Sequence, residues 1–83
     1  MRFKIKVTPE ESKIVQEVLH KYDIFWSSGY EIKFLDSPYL FVNKPYIYIA
    51  RHDGFFEEHQ FPEITFNEFI TEYAFDELFN LLP

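Results

Sequence analysis

Cysteine is absent from this chain of 83 residues, and methionine and tryptophan occur once each. Without thiols there is no disulfide framework, no thiolate metal site and no cysteine nucleophile. Only two glycines are present, too few for the phosphate-cradling loops of nucleotide-binding proteins. No apolar run reaches the roughly 18 residues that a membrane span needs, so no membrane role is expected. Residues Met1 to Val7 alternate charge and apolarity, unlike the continuous apolar core of about 7–15 residues in a signal peptide. A cytoplasmic location is the expectation, and the missing cysteine agrees with it. Basic residues are also scarce: 8 Lys and Arg stand against 14 Asp and Glu, a formal charge of −6.

Aromatic residues are what the chain has in excess. Eleven Phe, six Tyr and one Trp make up 22% of it. A domain this short buries a small share of its surface, and each ring brings about 150–250 Å² that can be buried. The composition therefore points to one globular domain over residues 1–83, folded despite its charge.

The order of elements is readable in outline. Phe3, Ile5 and Val7 alternate with Arg2, Lys4 and Lys6, which predicts a half-buried strand with a basic outer face. Thr8-Pro9-Glu10-Glu11 is a helix start: Thr8 caps, Pro9 suits the first helical position and Glu11 closes a capping box. That helix is expected to reach about Tyr22. Ile14, Val15, Val18, Leu19 and Tyr22 share one arc of its wheel; Lys13, Gln16, Glu17, His20 and Lys21 lie outside it. Trp26 to Gly29 reads as a turn. Three strands are then expected, Tyr30–Leu35, Tyr39–Val42 and Tyr46–Ala50, joined by turns at Asp36-Ser37-Pro38 and Asn43-Lys44-Pro45. Residues Phe55 to His59 have room for one helical turn. Thr65 and Glu68 form a second capping box, with Ile64 and Phe69 at the staple positions, and open a helix expected from Phe66 to about Leu81. The result is an α+β fold of order β-α-β-β-β-α, an antiparallel sheet with helices packed on one face.

Catalytic chemistry finds little support. His20, His52 and His59 match no metal-ligand spacing. His52 with Glu58 lacks a nucleophile beside it. Ser27, Ser28 and Ser37 sit in turns. The chain is expected to be no enzyme and to need no metal or cofactor.

Charge is unevenly placed. Residues 1–44 hold seven bases and six acids, net +1, whereas residues 45–83 hold Arg51 alone against eight acids, net −7. This is either a solubilising surface or a negative face that docks on a basic partner. On the last helix Phe66, Phe69, Ile70, Tyr73 and Ala74 form the core stripe. Glu68, Glu72 and Asp76 fall on another side, in company with Phe75, Phe79 and Leu82. Either the meander or the Phe55–Phe61 loop covers these apolar residues, or they form an interface for a partner or a second copy. The candidate partner surface is Glu68, Glu72, Phe75, Asp76 and Phe79. The alternative is a small RNA- or nucleotide-binding module. In it Arg2, Lys4, Lys6 and Lys33 meet phosphates and Tyr30, Tyr39, Tyr46 and Tyr48 stack bases. The net charge opposes it, and cross-strand packing also accounts for the tyrosines.

Several segments together resemble small accessory proteins of large tailed bacteriophages. They are Lys6-Val7-Thr8-Pro9-Glu10-Glu11-Ser12, Val15-Gln16-Glu17-Val18-Leu19, Trp26 before Ser28-Gly29, Ser37-Pro38-Tyr39-Leu40-Phe41, and Pro62 through Phe69. The resemblance implies an early, anti-host or anti-defence protein in the host cytoplasm, blocking a bacterial protein by stoichiometric binding. Inhibitors of toxin–antitoxin ribonuclease toxins belong to this class, and some act together with RNA. The shared segments are packing and capping motifs, so the resemblance assigns no functional residue.

Overall fold

The computed structural model describes residues 2–49 and 61–74. Strand β1 (Arg2–Lys6) leads into helix α1 (Pro9–Lys21), followed by strands β2 (Tyr39–Asn43), β3 (Tyr46–Tyr48) and β4 (Glu63–Ile64). Helix α2 (Phe66–Phe69) runs on as a π-helical stretch, Ile70–Ala74. The fold is α+β.

The four strands form one sheet of order β3-β2-β1-β4. Strand β1 pairs antiparallel with β2, placing Phe3 opposite Val42 and Ile5 opposite Leu40. β2 pairs antiparallel with β3 across a tight turn. β4 joins β1 in parallel, with Lys4 opposite Glu63 and Ile5 opposite Ile64, so the sheet is mixed where an antiparallel one was expected. Both helices lie against one face. Val15, Val18 and Leu19 of α1 and Phe69 of α2 share a buried cluster with Phe3, Ile5, Leu40, Val42 and Ile47 of the sheet. Burying side chains of this size stabilises by about 1.5–3 kcal/mol each.

Helix α1 starts as its sequence dictates. Thr8 Oγ1 accepts the Glu11 N–H at 3.2 Å, and Glu11 Oε1 accepts the Thr8 N–H at 2.9 Å. Its end is a Schellman motif: Asp23 takes the left-handed position (φ 60), its N–H reaches His20 O, and the Ile24 N–H reaches Leu19 O. Asp tolerates that conformation better than most residues, and buried Ile24 packs in the same cluster as Leu19.

Three expectations need correction. Residues Tyr30–Leu35 form no strand; their backbone is held by side chains of α1, and Phe34 breaks the extended path with φ 55. On α1, Ile14 and Tyr22 are exposed at the margins of the arc, whereas Ser12 and Gln16 are fully buried. Strand β3 ends at Tyr48, short of the expected Ala50. The expected turn at 55–59 and the part of the last helix beyond Ala74 lie outside the described residues.

Candidate functional site

Of the acidic-aromatic surface, the described residues include Glu68 and Glu72; Phe75, Asp76 and Phe79 lie outside them. Glu68 is the third residue of α2. Its carboxylate accepts the Thr65 N–H at 2.9 Å while Thr65 Oγ1 accepts the Glu68 N–H at 3.0 Å, so Glu68 holds the helix start. Glu72 is exposed on the π-helical stretch. Beside it, Tyr73 stacks on Phe3 (centroids 5.9 Å apart, planes at 17°) and receives the Tyr22 hydroxyl on its carbonyl at 2.8 Å. Burial first, then the Glu72 carboxylate and Tyr22, push the Tyr73 phenol above its ordinary pKa. The stripe Phe66, Phe69, Ile70 and Tyr73 packs on the core, and Glu72 is exposed, as are Asn67, Glu68 and Thr71.

The basic residues divide. Arg2, Lys4 and Lys6 sit on the sheet face away from the helices, as alternation requires. The Arg2 guanidinium lies 5.8 Å from the Phe61 ring centre, and Lys4 Nζ lies 5.9 Å from that of Tyr39. Phe41 and Phe61 pack edge-on at 5.4 Å on this face and are both buried. Lys33 belongs elsewhere: its Nζ donates to Ser28 Oγ at 2.8 Å and sits 5.2 Å from the Phe34 ring centre. Tyr30 is likewise off the sheet, 56% exposed, but its ring meets Phe25 at 4.9 Å, and Phe25 meets Tyr46 edge-on at 5.6 Å. Tyr46 and Tyr48 continue this row of rings at 6.2 Å. Loss of solvent, then the Asp23 carboxylate 3.4 Å from its hydroxyl, raise the Tyr30 phenol.

An open groove of about 390 Å³ runs between the starts of the two helices, lined by Lys6, Thr8, Glu11, Glu63, Thr65 and Phe66 among others. Its capping groups are already bonded to each other. Among the described residues no three His, Asp or Glu side chains converge as metal ligands; His52 and His59 lie outside them.

One polar constellation went unnoticed in the sequence. Ser12, Gln16 and His20 fall four residues apart along one flank of α1 and bind the segment that follows it. Gln16 Oε1 accepts from Trp26 Nε1 and from the Lys33 N–H, both at 2.9 Å. Gln16 Nε2 donates to Lys33 O at 2.7 Å and Ser12 Oγ at 3.0 Å. His20 Nδ1 lies 3.0 Å from Ile24 O and its Nε2 2.9 Å from Glu31 O. The i, i+4, i+8 spacing of hydrogen-bonding side chains beside an apolar stripe was the available signal.

No protein-family model matches the chain, and no curated protein or solved structure matches it.

Proposed function

We propose that this chain is a phage-encoded, non-enzymatic binding protein that inhibits a bacterial host or defence protein, such as the toxin of a toxin–antitoxin system, in the host cytoplasm. The proposed docking surface is the acidic-aromatic set Glu68, Glu72, Phe75, Asp76 and Phe79, of which Glu68 and Glu72 are among the described residues. The observation that carries this reading is the division of labour on the last helix. Its apolar stripe is committed to the core while Glu72 is exposed, in a half of the chain whose net charge is −7. Carboxylates among aromatic residues suit a basic, partly apolar partner surface. The same surface serves self-association, which sedimentation of the purified protein reads directly. The test is charge reversal. Glu72→Lys combined with Asp76→Lys abolishes capture of the bacterial partner while leaving the circular dichroism spectrum unchanged; capture that survives both changes sinks the reading.

One observation favours a second reading, binding of RNA or a nucleotide. Arg2, Lys4 and Lys6 line one sheet face beside Tyr39 and Phe41, the juxtaposition of cations and rings that single strands need. Burial of Phe41 and Phe61 limits the stacking surface to the tyrosines. Removing Lys4 and Lys6 together should abolish a low-salt RNA gel shift. If the purified wild-type protein gives no shift at low salt, this reading falls.

A further inference from the structure

Of the three side chains by which α1 holds the segment after it, His20 alone can change its charge. Its Nδ1 lies 3.0 Å from Ile24 O and its Nε2 lies 2.9 Å from Glu31 O. A carbonyl oxygen only accepts. A neutral imidazole has one N–H and one bare nitrogen, whereas the imidazolium has two N–H groups. Both contacts are therefore hydrogen bonds only while the ring carries two protons. With one proton, a bare nitrogen faces a carbonyl oxygen, lone pair against lone pair.

The charged groups around the ring are interleaved. The Tyr30 ring meets it edge-to-face, with centroids 5.5 Å apart and planes at 76°, and an aromatic neighbour at this distance attracts a cation. The Asp23 carboxylate lies 3.4 Å from the Tyr30 hydroxyl. Tyr46 of β3 joins the same cluster through Phe25. The Glu31 carboxylate accepts from Ser28 Oγ, which in turn accepts from Lys33 Nζ. On α1 itself Glu17 stands one turn before His20, and Lys21 follows it. With both signs present on each side, the two carbonyls are what distinguish the charge states of the ring.

We infer that His20 is a proton-operated clasp: the doubly protonated ring bridges Ile24 O and Glu31 O, and loss of one proton releases Glu31. The side that opens follows from the setting. Ile24 is buried and its own N–H is tied to Leu19 O, whereas the contact with Glu31 O is exposed, so water can enter between nitrogen and carbonyl there. Gln16 does not titrate and continues to hold Trp26 and Lys33. The release is thus confined to residues 27–32, Tyr30 among them. The clasp regulates the shape of this stretch whatever partner the protein binds. Histidine is the side chain that changes charge between about pH 5 and 8, which sets the range of the experiment.

The whole protein, labelled with 15N and 13C, is titrated by NMR from about pH 5 to about pH 8.5. As the His20 ring loses a proton, Nδ1 should keep its hydrogen and Nε2 should lose it. The Glu31 carbonyl carbon should shift in step, while that of Ile24 stays nearly still. Amide exchange over residues 28–32, corrected for its intrinsic pH dependence, should become about fivefold faster relative to Ile24. In His20→Gln the step at Glu31 should vanish. In His52→Gln combined with His59→Gln, which removes the other two histidines of the chain, it should persist. A Glu31 carbonyl that stays still while the ring titrates overturns the inference, as does a proton kept on Nε2 and lost from Nδ1. A ring holding both protons over the whole range also overturns it, because the clasp would then be permanent. So does a Glu31 step that survives His20→Gln or disappears with His52 and His59. The wild-type ring and carbonyl signals decide even where His20→Gln does not fold.

Discussion

Gln16 satisfies all four of its hydrogen-bonding positions inside the protein, and it is fully buried. A buried amide with every partner in place adds specificity; the same site half filled is costly, because each stranded donor keeps its desolvation penalty. Gln16→Leu keeps the volume and leaves the Trp26 indole N–H and the Lys33 N–H without an acceptor. It should lower stability by about 2–4 kcal/mol. Urea unfolding followed by fluorescence checks this, since Trp26 is the single tryptophan; a loss under about 0.5 kcal/mol would mean that water replaces the amide. Tyr73 gives a second residue-level expectation. Its phenol is raised above the ordinary value of 10.0, by burial first and then by Glu72 and Tyr22. The folded protein thus holds that proton more tightly than the unfolded chain does. The contribution is complete below about pH 10 and is lost as pH rises through the folded value. Urea midpoints between pH 8 and 11 should decline at the alkaline end, and less steeply in Tyr73→Phe. Equal slopes in the two proteins would place the alkaline sensitivity elsewhere.

The two helices begin with the same device, a threonine cap and a glutamate three residues on, but depend on it unequally. Helix α1 has 13 residues and a long buried arc; α2 has four residues before its bonding pattern becomes π-helical. Thr8→Ala and Thr65→Ala should each cost about 1 kcal/mol. Only the second should speed amide exchange through residues 66–74, because little else fixes that start; equal protection in the two variants would show the core contact of Phe69 to be sufficient. These caps were legible from sequence because both partners lie within four residues. Strand β1, the Val15, Val18 and Leu19 part of the α1 arc and strands β2 and β3 were legible for a similar reason, a local period matching a local geometry. Tyr30–Leu35 misled because alternation describes which side chains share a face, not what the backbone pairs with. Here the partners are Gln16 and His20, side chains outside the apolar arc. Strand β4 had no signal of its own, being two residues that extend the sheet only by lying parallel to β1. At the candidate site, the wheel separated the stripe of the last helix from Glu72, but the capping geometry gave Glu68 a task that the wheel alone could not show.

At the scale of the whole molecule, the sequence is divided by charge, net +1 over residues 1–44 and −7 over residues 45–83. Folding partly undoes that division. The parallel ladder sets Lys4 of the basic strand opposite Glu63 of the acidic half, and Arg2 and Lys4 sit over rings of their own sheet face. Glu63 beside Lys4 lowers the local positive field of that strand, while Glu72 is exposed and the total stays at −6. A net negative field accelerates encounter with a basic surface, and salt screens it over about 10 Å at 0.1 M. If the acidic helix is the docking surface, the association rate with the purified partner should fall several-fold between about 20 and 200 mM salt, with the dissociation rate little changed. Glu72→Lys should lower the rate at low salt and flatten its salt dependence. Stopped-flow association measures both quantities in one series. A rate indifferent to salt in the wild type would assign the affinity to apolar contacts, and would leave the charge of the second half with solubility as its role.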